Sequence, residues 1–229
     1  MEINADFSQR ALVHSSEEPW VPSPMAGVDR RMLDRVGGEV ARATTIVRYA
    51  PRSYFSAHTH GGGEEFLVIE GVFSDEHGDF PAGSYVRNPR GSRHTPHSED
   101  GCIIFVKLWQ FDPADQTHVR LTADRMRYTP IADRPGVTAV PLHSFGEEVV
   151  RLESWDGLAR IEIDNPSGLE LLVLDGTLSE EGDALEAESW LRLPPGRPLE
   201  AVAGPAGCTV WIKTGHLADV DAQLAGMAL

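Results

Sequence analysis

The stretch "HTHGGGEEFLVIEG", residues 58–71, places two histidines two positions apart, ahead of three glycines, two glutamates and an apolar run. On an extended strand residues two apart face the same way, so His58 and His60 can direct two imidazoles into one space. The glycines then let the backbone turn sharply into the next strand. There Glu64, Phe66 and Val68 share one face and Glu65, Leu67 and Ile69 the other, so Glu64 is the inward carboxylate if the first face lines a barrel. A second stretch, "GSYVRNPRGSRH" (83–94), reads as strand, proline-glycine turn and then His94. His58, His60, Glu64 and His94 make a set of three nitrogens and one oxygen. Such a set suits Fe or Zn, and also Mn, Ni or Cu, and leaves one or two positions for water or substrate on a five- or six-coordinate ion. An isolated H-x-H is ordinarily solvent-facing trim, and an isolated P-x-G-x-x-H a turn. Independent decoration does not account for both at this spacing around Glu64 and Gly71.

Weaker candidates surround the set. His97, in "HTPHS", could hydrogen-bond a ligand or exchange protons with a substrate, or simply be an exposed loop histidine. Tyr85 and Arg87, on the face opposite Val86, and Arg48, on the face opposite Tyr49, could each hold a substrate oxygen, the alternative for each being a solvated strand face. Phe55, Phe66, Phe105 and Trp109 are expected to fill a barrel rather than form a ligand box.

The elements that must position these residues are short strands. Runs rich in Val, Ile, Leu, Phe, Tyr and Trp alternate with turns across the chain, which carries 22 Gly and 16 Pro, the pattern of a sandwich or barrel. Strands are predicted at 40–50, 65–73, 83–88 and 102–111, and again at 158–163, 169–178, 188–193 and 208–213. The return is a true repeat. "EFLVIEGVFSDEHGDFPAGSYVRNPRG" (65–91) aligns without a gap to "ELLVLDGTLSEEGDALEAESWLRLPPG" (170–196), every residue moving by 105. Gly71 falls on Gly176, Arg87 on Arg192, Pro89 on Pro194 and Gly91 on Gly196. The chain therefore reads as two copies of one β unit: a metal-binding domain over 1–112, a linker over 113–140 and a second domain over 141–229. At the same offset Glu64 becomes Leu169, His94 becomes Leu199, and "IDNPSG" replaces the H-x-H segment, so the second domain is expected to be metal-free. Leu217, Val220, Leu224 and Met227 stand near helical spacing and predict a short amphipathic helix packed on the second domain or on a partner subunit.

Composition bounds the setting. With 41% apolar and 24% charged residues the chain can form a real core. A formal charge of -15, with no block of Lys or Arg, argues against nucleic acid or an anionic membrane as partner. No segment reaches the roughly 18 consecutive apolar residues of a membrane span, and the acidic start lacks the pattern of a secretory signal, so a cytoplasmic location is expected. In that compartment Cys102 and Cys208, each in or beside an apolar run, are expected as buried, reduced strand thiols.

The two histidine stretches resemble the two motifs of the cupins, and residues 18–112 are similar to the cupin domain of ChrR-type anti-sigma factors and of acetylacetone-cleaving dioxygenases. The second half joins the resemblance only through the repeat. The resemblance implies an all-β, tandem double-stranded β-helix (jelly-roll) fold with metal ligation by His58, His60, Glu64 and His94, and pairing into a homodimer. Two functions follow from it. One is an enzyme whose single metal, Fe in the first instance, acts as Lewis acid and template for a small oxygenated ligand such as a diketone or hydroxyketone. The other is a zinc-binding sensory module acting through protein contacts. ChrR-type regulators hold their sigma factor with an N-terminal helical zinc domain, and no C-x-x-C is found in this sequence, so the enzyme is the reading expected first.

Overall fold

The computed structural model describes residues 1–38 and 40–227. The chain forms two compact β units. In the first, the main sheet runs in the order Glu2–Ile3, Val28–Gly37, Ala41–Tyr49, Cys102–Leu108, Glu64–Asp75, Tyr85–Asn88 and Val119–Leu121. All its pairings are antiparallel. The long strand Glu64–Asp75 belongs to two layers. Its first half pairs in the main sheet, a register shift opposite Ile103 and Ile104 bends it, and its second half pairs with Gly78–Pro81 and His97–Ser98. Gly71 sits beyond the bend at φ +71°, where a Cβ would overlap the Gly101 carbonyl; Gly176 repeats the arrangement against Gly207. The repeated glycines thus mark a bend that only a residue without Cβ can make.

The offset of 105 carries whole elements. Glu64–Asp75 maps onto Leu169–Glu180, and Gly78–Pro81 onto Asp183–Glu186. The second unit repeats the sheet order: Val137–Phe145, Glu148–Trp155, Leu199–Thr214, Leu169–Glu180, Ser189–Leu193 and finally Ala11–His14.

That last strand moves the domain boundaries. The first unit comprises 1–5, 19–126 and 220–229, and the second 6–18 and 127–219. The stretch 113–140, read as a linker, is divided between the two: Val119–Leu121 is the edge strand beside Tyr85–Asn88, whereas Thr129–Pro130 pairs with Val137–Phe145. Ala11–His14 takes the corresponding edge of the second unit, beside Ser189–Leu193. Each second-motif strand needs a neighbour for its outer row of backbone groups, and one unit takes it from the sequence that follows while the other takes it from the chain's start. The helix Val220–Gly226 groups with the first unit, where Gln223 Oε1 accepts from Arg42 Nε at 3.0 Å, rather than packing on the second.

The inner face of the first unit is an apolar cluster of Val28, Val47, Phe66, Val68, Phe73, Phe80, Val86, Ile104 and Val106. Phe105 is not in it. Strand alternation sends Phe105 to the opposite face with its partners Leu67 and Ile46. Cys102 and Cys208 are free and buried.

Candidate metal centre

Two short strands and the start of the long strand Glu64–Asp75 converge at the end of the inner face. His58 pairs with His94 across the small ladder of His58–Thr59 with Arg93–His94. Glu64 opens its strand opposite Asn88. The glycine turn between them is shaped by more than chain reversal. A Cβ at Gly62 would overlap the Trp109 indole, and one at Gly63, which has φ +82°, would enter the Phe111 ring. Two aromatic side chains therefore lie directly on the turn that joins His60 to Glu64, and only glycine admits them.

The structure brings His58, His60, Glu64 and His94 together, with their ligand atoms all within 4.8 Å of one another. His60 Nε2 lies 3.2 Å from His94 Nε2 and 3.3 Å from Glu64 Oε2, and His94 Nε2 is 3.5 Å from the same oxygen. Donors around one ion at bond lengths of about 2.0–2.2 Å stand near these separations. Three nitrogen lone pairs and a carboxylate meeting at one buried point suit a divalent transition metal, and the residues present fit one such ion. His60, Glu64 and His94 are buried, and His58 is partly buried.

Each donor is oriented from behind. Asp75 Oδ2 lies 3.2 Å from His94 Nδ1, Ser92 Oγ 3.0 Å from His60 Nδ1, and the Ser56 carbonyl 3.3 Å from His58 Nδ1, while Asn88 Nδ2 donates to Glu64 at 3.4 Å. These contacts leave the Nε2 atoms of His60 and His94 facing inward. Burial lowers the His60 pKa, against the pull of Glu64. Burial acts the same way on His94, but the Asp75 hydrogen bond and the Glu64 charge outweigh it, and its pKa is raised. Asp75 is correspondingly lowered: its burial opposes the shift, and the bonds from His94 and the His77 amide prevail.

The weaker candidates lie elsewhere. Tyr85 and Arg87 pair with Leu67 and Glu65, on the face turned away from Phe66 and the cluster. Arg87 is committed there to Glu65 and, at 2.8 Å, to Asp115, with its guanidinium 3.9 Å over the Phe111 ring. Arg48 also faces outward, bonded to Asp29 at 2.7 Å and set over Trp20. His97 stacks on the exposed Tyr54 ring at 5.9 Å and stands outside the cluster. Reading the sequence alone missed Asp75 as the carboxylate behind His94. The repeat held a signal, since its equivalent Glu180 is also acidic and also buried.

In the second unit Ile163, Asn165, Leu169 and Leu199 occupy the positions of the four donors. Leu169 and Leu199 join the apolar core, with Ile163 packed against it. Asn165 spends its amide on the carbonyls of Pro194 and Arg197, at 3.0 and 2.9 Å, and so ties the turn together without a ligand.

Two jelly-roll units in tandem, one with a three-histidine, one-glutamate cluster at the end of its barrel, define a bicupin. Residues 8–112, a little under half of the chain, match the family described as the ChrR Cupin-like domain, and this part of the chain is similar to it. Solved structures share the fold at low identity. A candidate dioxygenase from Nostoc punctiforme aligns with a TM-score of 0.74 at 13% identity, covering 92% of this chain and 84% of that one. A bacterial pirin from Escherichia coli in complex with nickel(II) aligns with a TM-score of 0.67 at 11% identity, covering 90% and 99%. An oxalate decarboxylase from Lactobacillus farciminis in a formate complex gives 0.62 at 9%, covering 90% and 86%. A sequence search of curated proteins found no match. No helix among the described residues is long and apolar enough to cross a membrane.

Proposed function

We propose that the first domain binds one divalent transition metal through His58, His60, Glu64 and His94, and that the protein is a mononuclear-metal enzyme of dioxygenase type. Its substrate would be a small oxygenated organic molecule such as a diketone or hydroxyketone. The observation that carries this reading is the convergence of the four donor side chains, with ligand atoms all within 4.8 Å of one another, in a unit whose inner face is apolar. The ion would supply a Lewis-acidic centre that polarises and orients the ligand's oxygens. The chain's own residues do the rest. Asp75, Ser92 and Asn88 hold the donors in place, and Phe66, Phe73 and Val106 exclude water from the inner side. The nickel-bound pirin and the candidate dioxygenase among the structures of this fold support the reading. The similarity of residues 8–112 to the ChrR cupin-like domain supports a second one, a zinc-binding regulatory module acting through protein contacts.

The test is the metal content of protein purified without added metal or chelator, beside His58→Ala, followed by oxygen uptake with pentane-2,4-dione and hydroxyketones. About one iron per chain, lost in the variant, with ligand-dependent uptake supports the enzyme. One zinc per chain with no turnover favours the regulatory reading. No metal in either protein overturns both.

A further inference from the structure

Arg30 and Arg35 lie five residues apart on the strand Val28–Gly37, a spacing that turns two side chains to opposite faces of a regular strand. Here they share one face. Leu33 is an extra residue in the ladder with Ala41–Tyr49, where the register shifts between Met32 and Asp34, so Arg30 stands opposite Val47 and Arg35 opposite Ala43. Val47 belongs to the apolar inner cluster, and Ala43 lies four residues along the strand from it, on the same side. The bulge is itself fixed, because Leu33 is buried and its carbonyl accepts from Asn4 Nδ2 at 2.7 Å.

The row that contains Arg35 continues through Ala43 and Leu108 to Glu64, each residue opposite the next across the sheet. A donor of the metal cluster and an arginine thus stand three strand spacings apart on one face, about 14 Å between backbones. Arg35 is buried and donates to the Gly38 carbonyl, and Arg30 Nε is buried without a hydrogen-bond partner. Neither guanidinium meets a carboxylate among the described residues. The opposite face is different: Arg48 is bonded to Asp29 at 2.7 Å, Arg87 to Asp115 at 2.8 Å, and Arg42 faces Asp34 at 3.8 Å. A chain with 35 acidic and 20 basic side chains has counter-charges to spare, yet it leaves these two arginines without one. Burial, reinforced by the charge of Arg30, lowers the Arg35 pKa, so the two cations disfavour each other until an anion joins them.

We infer that Arg30 and Arg35 are specificity-determining residues that bind the carboxylate of a ligand whose other end reaches the metal cluster. The first domain then takes a small keto or hydroxy acid, with its carboxylate several bonds from the oxygens that meet the ion. A guanidinium presents parallel N–H donors that match the two oxygens of a carboxylate, which a neutral ketone does not offer. This inference rests on the small-molecule reading above and adds to it the charge of the substrate.

The experiment uses full-length protein loaded with Co(II), whose visible spectrum reports both occupancy of the metal site and ligand binding without turnover. Two probes with the same diketone body are titrated, 4,6-dioxoheptanoate and its neutral methyl ester. Wild-type protein is expected to bind the carboxylate roughly ten- to a hundredfold more tightly, the worth of a hydrogen bond between charged groups. Arg30→Gln is expected to keep the Co(II) spectrum and to bind the two probes alike. Arg35→Gln, with its folding checked by a thermal melt because the side chain is buried, is expected to do the same. Equal affinities in wild type, or a preference that survives either substitution in folded protein, would overturn the inference and leave the small-molecule reading standing. A Co(II) spectrum that neither probe perturbs would overturn both.

Discussion

Asp75 and His94 lie 19 residues apart in sequence, yet Asp75 Oδ2 stands 3.2 Å from His94 Nδ1 at the far end of the strand that begins with Glu64. The same strand therefore presents a carboxylate to each side of one imidazole, since Glu64 Oε2 is 3.5 Å from His94 Nε2. Asp75 fixes the tautomer and the ring angle, and Glu64 shares the site. Asp75→Asn should weaken metal affinity about 10- to 100-fold at pH 8. Competition with a chromophoric zinc chelator measures it, and an unchanged affinity would remove Asp75 from the design of the site.

The same pair sets a pH dependence. The His94 pKa is raised in the folded state, so in metal-free protein its contribution to stability is fully present below the unfolded value of about 6.5 and is lost as pH rises through the folded value. His60 is shifted the other way: its protonation destabilises the fold, and that cost appears as pH falls below about 6.5 toward its lowered value. A metal needs both imidazoles unprotonated. Metal affinity should therefore begin to fall at a pH above the ordinary histidine range as His94 gains its proton, and Asp75→Asn should move that onset downward. Chelator competition at a series of pH values between 8 and 5 follows the onset, and one that stays put in the variant would contradict the assignment.

Gly62 and Trp109 form a second coupled pair, because a Cβ on one would occupy the ring of the other. Trp109 itself sits at φ +60°, a strained setting for an aromatic residue, directly after the strand Cys102–Leu108. Gly62→Ala should cost about 1–3 kcal/mol in denaturant unfolding and weaken metal binding, since the turn carries His60 and Glu64 at its two ends. With Trp109→Ala in place the alanine should cost less, which a double-mutant cycle reads directly.

Arg87 shows how far sequence reading reaches. A strand arginine beside the second motif looked available to a substrate, but Glu65 and Asp115 hold it on the other side of the sheet. Its neighbour in sequence, Asn88, is the one that reaches Glu64. Arg87→Met removes the cation that two buried carboxylates share and should cost about 3–5 kcal/mol. Folded protein should retain its metal stoichiometry. Loss of metal at full stability would place the arginine in the site after all.

The convergence of His58, His60, Glu64 and His94 and the course of the inner strands were legible because H-x-H, the glycine turn and period-2 alternation are local signals, and the repeat reproduces the strand pattern at one offset. Val28–Gly37 was missed because "VDRRMLDRVG" carries five charges, which read as surface; in the fold Asp29 bonds Arg48 and Asp34 faces Arg42 at 3.8 Å. The edge strand Ala11–His14 was missed for a different reason. Its partner lies about 180 residues away, and an edge strand's choice of sheet leaves no mark in its own composition.

That edge strand leads to the last prediction. Glu180 is the equivalent of Asp75, but Leu199 replaces the histidine it would serve, and the N-terminal segment brings Arg10 to it instead, at 2.6 Å, with Asp183 accepting from the same nitrogen at 2.7 Å. Glu180 is 2% exposed, so Arg10→Met strands a buried carboxylate and should cost on the order of 3 kcal/mol. Replacing both partners, Arg10→Met with Glu180→Leu, should return stability close to wild type, because an apolar pair of similar shape needs no counter-charge there. Denaturant melts of the two singles and the double give the answer, with metal content expected to stay constant throughout. If the double variant is as unstable as Arg10→Met alone, the arginine does more than neutralise a carboxylate.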